Sequence, residues 1–236
     1  MNRYVALFRI PNVWVLVLTC FPARVAYGMV SLSIFFKVEQ STGSISSAGL
    51  ALGLNAASGA LTAGIRGSVM DKYGQKWPLR IMVPTYASLT IALNLADAKA
   101  TMLTLAFVMG LSAPPINLSV RPLWKDIVPA TYLRTAYAFD SAMMSSTSVV
   151  GPVVVTALAL SSRPYLALDV TAALMLTGGI ALALTPVSRN WIPEKKVKGQ
   201  ERLLQSRAIQ LLMFEGCFIG FGWGVFDVAV PAFATQ

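Results

Sequence analysis

The chain has 236 residues, 56% of them hydrophobic and only 12% charged, with a mean hydropathy of +0.64. This balance is too apolar for an ordinary water-soluble domain and puts the chain in a lipid bilayer. The formal net charge of +9 does not point to nucleic acid as a partner, because a nucleic-acid binder gathers its basic residues on one solvated face, and here they fall between apolar runs. There is no histidine, and the two cysteines, Cys20 and Cys217, each sit inside an apolar run. The usual metal ligands, a disulfide framework and the commonest general base are all missing, so neither an enzyme, a metal site nor a cofactor is expected.

In chain order, residues 1–12 carry Arg3 and Arg9 and have no small-residue cleavage site, which reads as a cytoplasmic lead and not a signal peptide. Residues 13–36 form a first span, long enough to cross roughly 30 Å of hydrocarbon and interrupted by Pro22 and Arg24. After a polar turn at 37–44, a second span rich in Gly, Ala and Ser runs from 45 to 65, a composition that lets helices approach closely. Residues 66–80 make a basic turn in which Gly67 allows a close helix approach, Asp71 caps a helix start and Gly74 turns with φ > 0. A third span covers 81–96 and a fourth 101–120, the latter bent at Pro114-Pro115 because each proline removes an N–H and crowds the preceding turn. The loop 121–133 leads to a fifth span at 135–160, with Asp140 and Gly151-Pro152, and then to a sixth at 165–184. A basic cytoplasmic linker at 185–207 connects to a seventh span at 208–233.

The basic residues test this threading independently. Fifteen of the 19 Lys and Arg fall in segments assigned to the inside, only Lys37, Lys99 and Arg163 fall outside, and Arg24 lies within a span. Shifting the threading by one span inverts that asymmetry, so the positive-inside rule supports an N-terminus in the cytoplasm.

The turn after the second span, with Gly67, Asp71, Lys72, Gly74 and Lys76, resembles the loop between the second and third spans of the major facilitator superfamily. Val69 stands where that pattern has Leu, and Gln75 where it has a basic residue. The stretches Arg121-Pro122-Leu123-Trp124, Arg134 to Ser141 and Val150-Gly151-Pro152 resemble the fourth loop and fifth span of bacterial exporters in the superfamily. Val155 and Thr156 stand where antiporter members have glycines, and no arginine occurs between Thr101 and Val120, where many drug/proton antiporters carry one. The resemblance implies an all-α polytopic membrane protein: a six-helix N-terminal bundle (1–184), a cytoplasmic linker (185–207) and a seventh helix (208–236) that begins a C-terminal bundle. It implies a bacterial cell-membrane transporter that moves a small-molecule substrate by alternating access, with proton-coupled export as the leaning. The rest of that second bundle is expected in a longer chain or a partner chain. A half-size or truncated protein with a scaffold role and no transport is the alternative. A retinal-type receptor is excluded, since the seventh span has no lysine for a Schiff base.

A charge at mid-bilayer costs about 2.5–3.5 kcal/mol on insertion scales, so polar residues within spans are functional candidates. Arg24 and Asp140 are read as a pair inside the bundle, with a transport or coupling role weighed against a purely structural ion pair. On the seventh span, Glu215 is the better coupling candidate and Asp227 an interfacial residue or substrate contact, on a face with Gly216, Gly220 and Gly224. The loop residues Gly67, Asp71, Lys72, Gly74 and Lys76 are assigned to conformational gating, and Gly151 and Pro152 to a kink. Phe35, Phe36, Trp77, Trp124 and Trp191 read as an aromatic belt. Trp223 and Tyr27 read as packing residues first and cavity lining second.

Overall fold

A computed structural model describes residues 2–161, 165–193 and 206–234. Among these residues the structure is helical without strands, in the order α1 (Asn2–Phe8), α2 (Val13–Thr42), α3 (Ile45–Tyr73), α4 (Lys76–Leu95), α5 (Lys99–Ser112), α6 (Ile116–Ile127), α7 (Ala130–Ala159), α8 (Leu166–Leu184), α9 (Pro186–Asn190) and α10 (Arg207–Ala234). The chain forms two units, residues 1–192 and 193–236. In the first, α2 packs against α8, α7 and α3; α8 packs against α4, and α3 against α5. The second contains α10, along which Phe214 and Phe218 meet edge-on, as do Trp223 and Phe226.

Several helices run past the ends read from hydropathy. The expected turn at 37–44 shrinks to Gly43 and Ser44: Gly43 closes α2 in the left-handed region (φ 63°), and the Ser44 side chain accepts from the Ser47 N–H at 3.2 Å to open α3. The helix α3 continues through Arg66, Gly67 and Asp71, so the basic turn reduces to Gly74 and Gln75. Polar residues end a hydropathy window but do not end a helix whose backbone stays hydrogen-bonded. Within the expected lead, residues 2–8 form α1, which packs on the bundle. Phe8 of α1 stacks on Trp14 (centroids 4.5 Å) and meets Phe139 of α7 edge-on at 5.0 Å.

Among the described residues, six helices have the length and apolarity of membrane spans: α2, α3, Lys99–Ile127 taken across its break, α7, α8 and Arg207–Phe226 of α10. Seven spans were expected; α4 falls short because Arg80, Asn94 and two prolines dilute it. It still buries Leu79, Val83, Tyr86, Thr90 and Leu93 within the bundle.

The fourth span breaks at Ala113-Pro114-Pro115, between α5 and α6. In a continuous helix the N–H groups of residues 114 and 115 would bond the carbonyls of Gly110 and Leu111, and proline has none to give. The second span supplies the missing donors. The Thr62 hydroxyl, whose shorter bond of 2.8 Å goes to the Ser58 carbonyl of its own helix, also reaches the Leu111 carbonyl at 3.3 Å, and Arg66 Nη1 donates to the carbonyls of Gly110 (2.9 Å) and Ala113 (2.8 Å). Asn55 and Ser58, two turns and one turn before Thr62, donate to the carbonyls of Ala106 and Phe107. This stripe of small polar residues on α3 is a hydrogen-bonded seam onto a proline-broken helix.

Candidate functional site

Arg24 and Asp140 face each other between α2 and α7, with Arg24 Nη1 and Asp140 Oδ1 2.8 Å apart and each side chain only 1% exposed. Two helix–helix contacts allow this. Gly28 and Gly151 lie against each other, so that a Cβ on Gly151 would sit 2.6 Å from the Gly28 carbonyl oxygen and 2.8 Å from its Cα. Across the other face of α2, a Cβ on Gly178 of α8 would overlap the backbone at Ala23. Arg24 is thus clamped between helices whose backbones touch.

Trp124, on α6, completes the group: its indole N–H donates to the same Asp140 Oδ1 at 2.9 Å. It is fully buried and packs edge-on against Phe139. Two of the residues expected in an aromatic belt are therefore core residues, Trp124 and Phe35, both 0% exposed. Their position near the end of an apolar run resembles an interface in sequence, and only packing reveals the difference. Trp77 is exposed, with Lys76 Nζ 5.3 Å and Arg80 Cζ 5.8 Å from its ring centroid.

The pair has unspent hydrogen-bonding capacity. Among the described residues, Arg24 Nε and Nη2 and Asp140 Oδ2 are buried without partners. Arg24 also lines a cavity of about 370 Å³ with Tyr27, Gly28, Asn117, Thr147 and Ser148. The Tyr27 hydroxyl donates to the Pro114 carbonyl, joining α2 to the break in the fourth span. Asn117 Oδ1 is buried and unpartnered.

The gating residues lie apart from this centre. Asp71 and Lys72 belong to the last turn of α3, so Asp71 is not at a helix start and cannot accept from free amide N–H groups there; its side chain is exposed. No atom among the described residues lies within 4 Å of a Cβ built on Gly67, so the close helix approach expected of it is not made with any of them. Gly74 takes the positive φ (73°) its type permits. Gln75, the departure from the basic pattern, is buried: its Nε2 donates to the Ser119 carbonyl at 2.9 Å, and its Oε1 accepts from Ser188 Oγ at 3.1 Å. A neutral amide suits a position that needs both a donor and an acceptor, which no lysine or arginine provides.

Pro152 lies inside α7, next to Gly151. Glu215 and the backbone of Asp227 lie on α10 in the second unit. The side chain of Asp227 and the linker cations Lys195, Lys196, Lys198 and Arg202 lie outside the described residues, as does Arg163.

A sequence model of the Major Facilitator Superfamily matches residues 8–236, nearly the whole chain. The chain belongs to the major facilitator superfamily. An uncharacterized MFS-type transporter, y4rN of Sinorhizobium fredii (strain NBRC 101917 / NGR234), is 25% identical over 245 residues, an alignment that covers 98% of this chain and 60% of that protein. This superfamily member is an integral membrane protein whose first unit holds the Arg24–Asp140–Trp124 group at its core. Sequence reasoning found the pair but missed Trp124, Gly28, Asn117, Gln75 and the bonding role of Arg66. The signal for Arg66 was present: a proline pair in one span implies orphan carbonyls that a neighbouring span must satisfy.

Proposed function

We propose that this protein is a secondary active transporter of a small solute. It works by alternating access in a bacterial cell membrane, is coupled to protons, exports a drug or metabolite, and has its N-terminus in the cytoplasm. The observation that carries this reading is the buried Arg24–Asp140–Trp124 group beside a cavity of mixed polarity. A structural ion pair gains by spending all its donors and acceptors, whereas this one keeps Asp140 Oδ2 and two Arg24 nitrogens free. In this reading Asp140 Oδ2 receives the proton and loosens the grip on Arg24, so that the state of the pair follows the proton gradient. Glu215 and Asp227 serve the same path from the seventh span. The first six spans form one rocking body, and the opposing bundle comes from a longer form of the chain or a partner chain. Asp71, Lys72, Gly74 and Lys76 hold the contact that closes one side.

Everted membrane vesicles from cells producing the protein test this. A solute panel should include at least one compound that accumulates on energisation and is released by a protonophore, beyond vesicles lacking the protein. Asp140→Asn should abolish the proton-linked component, and Asp71→Asn should slow it without reducing the amount of inserted protein. If no solute moves while the protein is present and folded, the scaffold reading replaces this one.

A further inference from the structure

The free atoms around the cavity specify a chemistry. Arg24 spends Nη1 on Asp140, which leaves Nε and Nη2, the two nitrogens of one side edge of the guanidinium, without partners. That edge presents two parallel N–H groups in the fork geometry that matches the two oxygens of a carboxylate. The rest of the lining offers the opposite polarity. The hydroxyl protons of Tyr27 and Thr147 are given to the carbonyls of Pro114 and Met144, which leaves the lone pairs of these two oxygens to accept. Asn117 Oδ1 is a further acceptor, buried and unpartnered. No carboxylate is among the lining residues, so a cationic ligand finds no counter-charge on the wall. At about 370 Å³ the cavity is toward the small end for ligand sites.

We infer that the cavity between α2, α6 and α7 binds a small carboxylate with a hydrogen-bond donor on the adjacent carbon, the chemistry shared by α-amino acids and α-hydroxy acids. The carboxylate takes the Nε/Nη2 edge of Arg24 after a rotation of the guanidinium about its long stem, with Nη1 kept on Asp140. The neighbouring ammonium or hydroxyl donates to Asn117 Oδ1. An apolar drug would leave both ends of this polarity unsatisfied, at a cost in free energy. The inference deepens the transport reading by naming its solute class, and its physiological meaning rests on that reading.

The test is equilibrium binding and thermal stabilisation of the purified full chain in detergent. The probes are α-amino acids and α-hydroxy acids of three to five carbons, the matching unsubstituted carboxylates, the α-amino amides and a lipophilic phosphonium cation. Amino acids or hydroxy acids should bind and raise the melting temperature, and which of the two does so identifies the donor as ammonium or hydroxyl. The unsubstituted acids should bind more weakly, and the amides and the phosphonium not at all. Arg24→Lys keeps a cation opposite Asp140 but lacks the two-donor edge, so its affinity for the carboxylate should fall about tenfold or more. Asn117→Leu should erase the preference for substituted over unsubstituted acids, which keeps the test decisive even if Arg24→Lys does not fold. Equal binding of the amides, binding unaffected by both variants, or no binding of either acid class overturns the inference. Proton-linked transport of a solute without a carboxylate in the vesicle assay overturns it too, while leaving the transport reading intact. Specific binding without any proton-linked movement does the reverse.

Discussion

Replacing Gly151 by alanine should loosen the whole site. In most exposed helix positions this substitution helps, since alanine is better than glycine by about 1 kcal/mol in a helix interior. Here the added Cβ would overlap the Gly28 carbonyl carbon and lie 2.6 Å from its oxygen and 2.8 Å from its Cα. Carbon atoms pack at about 3.5–4.0 Å, so α7 must retreat from α2 by roughly 1 Å. No flexible side chain is present to yield, because both partners are backbone. Overpacking of this kind costs about 1–3 kcal/mol, of which the propensity gain returns about 1, and a net loss of up to about 2 kcal/mol lowers the melting temperature by up to roughly 8 °C at this chain length. The same retreat stretches the Arg24–Asp140 contact, which spans the same two helices. Thermal unfolding of the detergent-solubilised protein, followed by tryptophan fluorescence, measures the loss. Gly53→Ala, where the added carbon meets nothing within 4 Å, is the control and should be neutral or stabilising. A Gly151→Ala protein as stable as Gly53→Ala would refute the claim that α2 and α7 touch through these glycines.

Asp140→Asn leaves a buried arginine without its counter-charge and should cost about 3–5 kcal/mol, whereas the double variant Arg24→Met/Asp140→Leu should recover most of that stability in the same unfolding assay. If the double variant also kept transport in vesicles, the pair would be structural. Arg66→Ala removes the donors held by the carbonyls of Gly59, Gly110 and Ala113, and should lower stability by about 1.5–3 kcal/mol. Its backbone amides at 106–113 should exchange faster by hydrogen-exchange mass spectrometry, and unchanged exchange there would refute the seam. Gln75→Leu strips partners from the Ser119 carbonyl and the Ser188 hydroxyl and should cost about 1–3 kcal/mol. It should also speed proteolysis near α9, and a protein cut at the parent rate would show that the tie between α6 and α9 is weak.

Much of the architecture was legible because the bilayer imposes it. A span must be long and apolar and satisfy its own backbone, so the alternation of apolar runs and basic segments gave the helix order directly. Helix ends were less legible: the continuation of α3 through Asp71 depends on backbone bonds that a hydropathy window does not see. The pairing of Arg24 with Asp140 could be anticipated, since charges inside spans seek each other. The third member, Trp124, could not be, because a tryptophan at the end of an apolar run looks the same whether it faces lipid headgroups or the core. Gln75 looked like a lost charge in the basic pattern and is instead a buried amide bridging two helices.

The sequence by itself determined the class, the order of the helices and the presence of costly charges within them, since each follows from local composition and from chain length measured against bilayer thickness. The tertiary structure decided which glycines are contacts and which are open. Gly28 and Gly151 meet backbone to backbone, while Gly53, Gly64 and Gly67 have open space around them among the described residues. It also decided where the donors go, placing Arg66 on the Gly110 carbonyl that Pro114 leaves bare and on that of Ala113, while Arg24 keeps one edge without a partner among the described residues, beside a cavity. Those outcomes depend on which helix faces lie together, a relation between residues distant in the chain that no local window contains.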